Sequence, residues 1–345
     1  MNKLVEKLYQ NQALAKDELI ELINCDKDTQ EELRALAEKV RYENYGNNIF
    51  IRGLIEFTNY CKQDCYYCGI RKSNLHCNRY RLSFEQIMEC CKDGYSLGFR
   101  TFVLQGGEDP YFTDDKICEI VNAMKKTYPD CAITLSLGEK SKESYKRFFD
   151  CGADRYLLRH ETANKAHFEK LHPPKQTYES RMKCLEYLKE IGYQVGCGFM
   201  VGSPYQTVEN LAEDLLFIKK INPQMVGIGP FIHHCDTDFK DFPDGELDVT
   251  LKLLSIIRLM IPKVLLPATT ALATIDLIGR EKGIKAGANV VMPNLSPVSV
   301  RKDYSLYDNK VCTGEESAEC RNCLERRINS IGCKIVTDRG DSKNI

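Results

Sequence analysis

The chain has 345 residues, enough for one large domain or two ordinary ones, and its 43% hydrophobic and 28% charged residues mark a globular protein. Lys and Arg balance Asp and Glu to a formal net charge of −1, which excludes the electrostatic footprint expected for nucleic acid or an anionic membrane. Any partner must then be recognised by shape and local chemistry.

The first 45 residues, opening MNKLVEKLYQNQALAKDELIEL, alternate charges with apolar residues at helical spacing and predict a helical lead-in. They lack the apolar core of a signal peptide, so a cytoplasmic location is expected. From residue 46 to 293, eight short apolar runs alternate with amphipathic helical patterns. The runs are NIFIRGLIEFT (48–58), RTFVLQ (100–105), AITLS (132–136), DRYLLRH (154–160), YQVGCGFMVG (193–202), MVGIGPF (225–231), KVLLPAT (263–269) and ANVVMP (288–293). Helical segments lie between them; one, SFEQIMECCKDGYSLG, has Ser83 as its expected N-cap and Gly98 as its expected C-cap. Strand–helix units repeated eight times, with strands apolar along their length, predict an α/β fold: a (β/α)8 TIM barrel. A doubly wound open sheet is the competing architecture. Residues 294–345 form a polar, Gly- and Cys-containing tail, expected to lie across one mouth of the barrel.

Seventeen cysteines would suit a reducing compartment, and most sit singly in apolar or helical patterns as small buried hydrophobes. Two groups have ligand-like spacing. In TNYCKQDCYYCGIR, Cys61, Cys65 and Cys68 are spaced C-x3-C-x2-C just past the first strand, on the barrel face where loops carry chemistry. Three thiolates would hold three irons of a [4Fe–4S] cube and leave the fourth iron open. A zinc site completed by His76 or Cys77 is the alternative. The second group is Cys312, Cys320 and Cys323, with Cys333 ten residues later; it suits an Fe–S cluster or, with four thiolates, zinc.

The first motif resembles the cluster motif of the radical S-adenosylmethionine (SAM) superfamily. That resemblance implies that Cys61, Cys65 and Cys68 bind a [4Fe–4S] cluster and that SAM chelates the fourth iron. LQGGEDP matches the family's glycine-rich segment, placing Gly106, Gly107 and Glu108 beside the methionine group, where a residue without Cβ permits close approach. Tyr67 resembles the aromatic residue near the adenine. Ser136, Glu161 and Arg181 stand where the family binds SAM, Glu161 on the ribose and Arg181 on the carboxylate; a structural ion pair is the other role open to the charged pair Arg159 and Glu161 at the end of the fourth strand.

Within the superfamily, the resemblance to the [FeFe]-hydrogenase maturation enzyme E family covers almost the whole chain, through RYRLS, LQGGEDPYF, RYLLRHETAN, GPFI, PATTALAT, ANVVMPNLSP and YSLYDNKVC. It implies reductive cleavage of SAM to a 5′-deoxyadenosyl radical that attacks a sulfur-containing, cysteine-derived iron–carbonyl–cyanide substrate during assembly of the hydrogenase active site. It also implies a flavodoxin- or ferredoxin-type electron donor, other hydrogenase maturation proteins as partners, and an accessory tail cluster, [2Fe–2S] or [4Fe–4S]. Strand-end geometry nominates Arg155, Arg159, Thr269, Thr270, Met292 and Asn294 as substrate contacts, with Tyr304, Tyr307 and Arg159 nearest the chemistry; a packing role stays open for each. After GPFI the chain departs from the family and reads HHCDTDF, placing His233, His234 and Cys235 where a proline-rich turn is expected. A biotin-synthase-like or methylornithine-synthase-like radical SAM enzyme and a non-enzymatic metal-binding scaffold are the alternatives. A sulfur inserter would need a second cluster deep in the barrel, for which Cys131, Cys151 and Cys197 are the available thiols.

Overall fold

A computed structural model describes residues 2–314 and 317–344. Three lead-in helices, α1 (Lys3–Asn11), α2 (Lys16–Ile23) and α3 (Lys27–Tyr45), precede a first strand broken at Arg52 into β1 (Asn48–Ile51) and β2 (Gly53–Thr58). Then follow α4 (Phe84–Ser96), β3 (Thr101–Gly106), α5 (Asp114–Thr127), β4 (Ala132–Ser136), α6 (Lys142–Asp150), β5 (Arg155–Leu157), α7 (Lys165–Leu171), α8 (Tyr178–Ile191), β6 (Gln194–Cys197), β7 (Met200–Val201) and α9 (Val208–Ile221). The remainder is β8 (Met225–Val226), β9 (Gly229–Pro230), α10 (Leu247–Met260), α11 (Thr270–Ile275), α12 (Gly279–Lys285), β10 (Val290–Val291), α13 (Val298–Arg301), α14 (Ser317–Ser330) and β11 (Lys334–Val336).

Six strands form one parallel sheet in the order β2-β3-β4-β5-β6-β8. Parallel contacts Met225–Leu265 and Pro267–Val290 continue it to β10, and β1 pairs with β10 through Phe50–Val290 and Ile51–Val291. Backbone bonds from Arg52 N–H to the Val291 carbonyl and from Leu54 N–H to the Pro293 carbonyl close the circle. The architecture is therefore a closed barrel and not an open sheet. The run KVLLPAT joins it by isolated contacts alone, because Pro267 has no N–H to donate to a ladder. The fifth run splits at Gly198, whose φ is +152° and where a Cβ would lie 2.0 Å from the Gly227 carbonyl oxygen.

The helices start where short polar side chains satisfy their first N–H groups. Ser83 accepts from Gln86 N–H while the Gln86 side chain returns a bond to Ser83, and Thr113, Ser141, Asn164, Thr177 and Thr207 cap the helices that follow later strands. At the other end of α4 the cap is Leu97, and Gly98 takes the following left-handed position at φ +85°. These caps fix the strand-to-helix loops at one end of the barrel, and that end carries the site.

The tail meets both ends of the barrel. Residues 304–310 cross the upper mouth, with Tyr304, Leu306, Tyr307 and Lys310 facing the interior. Farther on, β11 pairs in parallel with β1, and Arg339, Asp341 and Asn344 plug the lower mouth. Arg155 sits at that lower end, buried, with its guanidinium on Thr101, the Arg339 carbonyl and Asp341 Oδ1 at 2.6 Å. Its expected place among the substrate contacts is thus corrected. Arg155 opens its strand while Arg159 follows it, so the barrel's thickness separates them.

Candidate active site

Cys61, Cys65 and Cys68 open together onto a cavity of about 390 Å³ at the upper end of the barrel. The loop that carries them is tightly built. Arg79 gathers four of its carbonyls: Nη1 donates to Asn59 (2.5 Å) and Ile70 (2.9 Å), and Nη2 to Arg71 (2.6 Å) and Asn74 (3.1 Å). Arg71 Nε bonds Asp64 Oδ1 at 2.9 Å, which also accepts from Ser73. RYRLS contributes a second anchor, with Arg81 forked onto Asp109 at 2.6 and 2.9 Å.

The glycine-rich segment touches this loop through its backbone. A Cβ at Gly107 would lie 2.2 Å from the Tyr60 carbonyl oxygen and 2.8 Å from Cys61 Cβ, so only glycine fits there. Glu108 N–H points at Cys61 Sγ (3.3 Å), as does Gln63 N–H (3.4 Å). The Glu108 carboxylate turns aside to accept from Gln63 Nε2 and Glu139 N–H, which clasps the cysteine loop to the end of β4.

The three thiols suit iron. Burial pushes Cys65 up to about 12, Cys68 well above the ordinary thiol value, and Cys61 upward. Three buried sulfurs cannot ionise together unaided, whereas a bound cluster supplies the positive charge that holds them as thiolates, with N–H groups already directed at sulfur. Gln176 adds a side-chain contact to Cys65 Sγ at 3.4 Å. His76 and Cys77 do not face the cavity: His76 is exposed against Asp236, and Cys77 Sγ lies 3.5 Å from Asn59 Nδ2. They do not complete the first three cysteines.

The rest of the cavity wall includes Tyr67, Gly106, Gly107, Glu108, Ser136, Arg159, Glu161, Arg181, Thr269, Thr270, Met292, Tyr304 and Tyr307. Tyr67 hydroxyl lies 3.1 Å from His172 Nε2; burial lowers His172 to about 3, so its ring is neutral. Glu161 has φ +64°, an uncommon value for a side-chain-bearing residue, and its Oε2 is buried without a hydrogen-bond partner among the described residues. Arg159 Nε and Thr269 Oγ1 also lack a hydrogen bond among the described residues, though Arg159 Nε forms an ion pair with Glu161 Oε1 at 3.7 Å. Such groups await a polar ligand. Arg181 is held by Glu139 (2.7 Å) and by the Arg159 carbonyl (2.7 Å).

Two residues of the wall, Glu56 and Lys310, stand outside the predicted contacts, Lys310 within YSLYDNKVC and Glu56 outside every motif. Glu56, 2% exposed at its side chain, accepts from Lys310 Nζ at 2.6 Å, and the Lys310 ammonium lies 5.0 Å from the Tyr304 ring centre. A lone acid in the otherwise apolar GLIEFT was the available clue. Asn294 does not line the cavity; its Nδ2 donates to Glu56 Oε2 at 2.7 Å from behind. Tyr304 hydroxyl meets Gln105 at 3.4 Å, and burial pushes Tyr307 up to about 12.

The tail cysteines lie apart from this cavity. Cys320 contacts Cys312, and Arg280 Nη1 is 3.6 Å from Cys312 Sγ. Cys323 is exposed, and Cys333 is buried in the core beside Arg41.

Barrel and site together define an enzyme of the radical SAM class, and the sequence pattern described as the Radical SAM superfamily matches residues 55–218. The chain is 42% identical over 344 residues, 99% of its length and 98% of the other, to the [FeFe] hydrogenase maturase subunit HydE of Thermotoga maritima. It belongs to the HydE family of the radical SAM superfamily. It is also 31% identical to the 3-methylornithine synthase of Methanosarcina acetivorans, over 94% of this chain and 92% of that one. Among solved structures, methylornithine synthase (PylB) superposes with a TM-score of 0.83 at 28% identity, covering 97% of both chains. The [FeFe]-hydrogenase maturase HydG shares the fold, with a TM-score of 0.82 at 22% identity over 96% of this chain and 74% of that one.

Proposed function

We propose that this enzyme acts in assembly of the [FeFe]-hydrogenase active site, on a small sulfur-containing substrate of the iron–carbonyl–cyanide–cysteine kind. One observation carries the reading: Cys61, Cys65 and Cys68 share a single cavity with Glu161, whose Oε2 is buried without a hydrogen bond among the described residues, and with Arg159, which pairs with its Oε1 at 3.7 Å. Cys61, Cys65 and Cys68 would hold a [4Fe–4S] cluster, with SAM bound beside them. When bound, the reduced cluster would supply one electron to the SAM sulfonium, whose C–S cleavage would give methionine and a 5′-deoxyadenosyl radical, the electron coming from a flavodoxin- or ferredoxin-type donor.

The chain's own residues bind, orient and shield. Backbone at Gly106 and Gly107 admits the methionine end closely, Glu161 Oε2 accepts from ribose hydroxyls, and Tyr67 and Ser136 flank the nucleoside. Arg181, fixed by Glu139, presents positive charge to the SAM carboxylate. Arg159, Thr269, Thr270 and Met292 bind the substrate's polar and soft groups, while Tyr304 and Tyr307 in the tail exclude water above it. The cavity's only thiols among the described residues are the three of the first motif, which argues against a sulfur inserter needing a second internal cluster. Cys312, Cys320 and Cys323 are assigned an accessory cluster.

Anaerobic reconstitution with iron and sulfide, then SAM and dithionite, is expected to release 5′-deoxyadenosine, and Cys68→Ala to abolish it. Release that survives this substitution would remove the radical-enzyme reading. Deleting the gene in a host with an [FeFe]-hydrogenase is expected to leave that hydrogenase inactive. Full hydrogenase activity after deletion would favour the second reading, an enzyme like the 3-methylornithine synthases, which the 31% identity supports.

A further inference from the structure

The segment HHCDTD fits no part of the cavity chemistry, yet it folds into a tight turn with donors of three kinds. Thr237 N–H and hydroxyl both bond the His234 carbonyl, at 3.1 and 2.8 Å, and this turn brings three side chains together. One ligand atom each from His234, Cys235 and Asp236 lies within 4.8 Å of the others. His234 Nδ1 and Cys235 Sγ are 4.0 Å apart. Ligands around a tetrahedral ion with bonds of about 2.0–2.3 Å stand roughly 3.3–3.8 Å apart, so rotation of the exposed thiol closes the set.

Two surrounding groups behave as a metal's outer partners and fourth ligand do. His234 is 6% exposed, and its far nitrogen, Nε2, faces Asp308 Oδ1 at 3.8 Å. A carboxylate behind a ligating imidazole fixes its ring and raises its basicity. Across the turn, His76 Nδ1 is 2.8 Å from Asp236 Oδ1, on a largely exposed side chain free to swing inward.

We propose that His234 Nδ1, Cys235 Sγ, the Asp236 carboxylate and His76 bind one divalent transition-metal ion of the zinc class. The mixed N, S and O donors suit a borderline ion in four-coordinate geometry. Loading displaces the Asp236 N–H, which sits 3.1 Å from His234 Nδ1, from that nitrogen. The exposed Cys235 provides the way in.

The location gives the ion a role. His76 belongs to the loop that follows Cys68, and a Cβ on Gly69 would lie 2.2 Å from the His234 ring. The turn at 234–236 continues from Phe231 and Ile232, which line the opposite wall of the cavity. An ion here rivets the cluster-bearing loop to that wall from outside, without touching the reacting groups.

The test is zinc itself, which binds such donors more tightly than ferrous iron and is read separately from it. The full-length chain, with its cluster reconstituted, is equilibrated with micromolar zinc, desalted and measured for metal content and zinc-edge X-ray absorption. About one zinc per chain is expected, with one sulfur near 2.3 Å and the remaining neighbours nitrogen or oxygen near 2.0–2.1 Å. Cys235→Ser should remove the sulfur neighbour and the retained zinc while iron per chain stays constant. Asp308→Asn should weaken zinc by about 10–100-fold and keep the sulfur. An all-sulfur shell, zinc retention unchanged in Cys235→Ser, or no retained zinc would each overturn the site.

Discussion

Lys310 and Glu56 show how much one residue can matter when its charge is out of water. Both side chains are largely buried, and the carboxylate's other oxygen is satisfied by Asn294. Lys310→Met leaves Glu56 charged and half-satisfied, so a loss of about 3–5 kcal/mol in stability is expected by urea denaturation. The double substitution Glu56→Gln/Lys310→Met should recover most of that loss. If the double variant is as unstable as the single, the pair is not the source. The same residues mark the edge of what sequence can tell. Cys61, Cys65 and Cys68 announce themselves because thiol spacing along the chain is itself the signal. Glu56 and Lys310 are 254 positions apart, and only the tail's return across the upper mouth brings them together. The place of Arg155 at the lower mouth was hidden for a related reason: a run such as DRYLLRH does not say which of its ends meets the cavity until the strand's bounds are known.

At the scale of an element, the loop from Asn59 to Asn74 depends on a guanidinium rather than on regular secondary structure. Arg79 satisfies carbonyls at four points of that loop, a planar fork that an ammonium cannot reproduce. Arg79→Lys is expected to lower iron retained per chain after reconstitution and to weaken the cluster's paramagnetic signal, while far-ultraviolet circular dichroism stays near wild type. Unchanged iron content would mean that the cysteines hold the loop by themselves. The strand and helix alternation was readable because apolar runs and N-caps are local. The seventh strand's reduction to isolated contacts and the splitting at Gly198 were not, since both follow from close approach between distant segments.

For the whole molecule, the lower mouth contributes to acid stability. Burial opposes ionisation of Asp341, but its bonds to Arg339 and Arg155 prevail and hold its carboxyl well below the usual range. A lowered native value contributes stability that is complete above the unfolded value of about 4 and disappears as pH falls through the native one. Asp341→Asn should therefore cost about 0.5–1.5 kcal/mol at pH 7, because solvent screens the partly exposed carboxylate, and the gap to wild type should narrow on acidification below pH 4. A gap that is constant with pH would assign the effect to packing instead. No helix among the described residues is long and apolar enough to cross a membrane.

The pairing of Phe50 with Val336 also sets a schedule for biosynthesis. At roughly 5–20 residues per second, the ribosome delivers the second partner about 15–60 s after the first. Throughout that interval one edge of the opening strand has nothing to pair with, and an unpaired edge invites association with neighbouring nascent chains. Yield in a heterologous host is therefore expected to depend on how well that edge is sheltered until Val336 emerges.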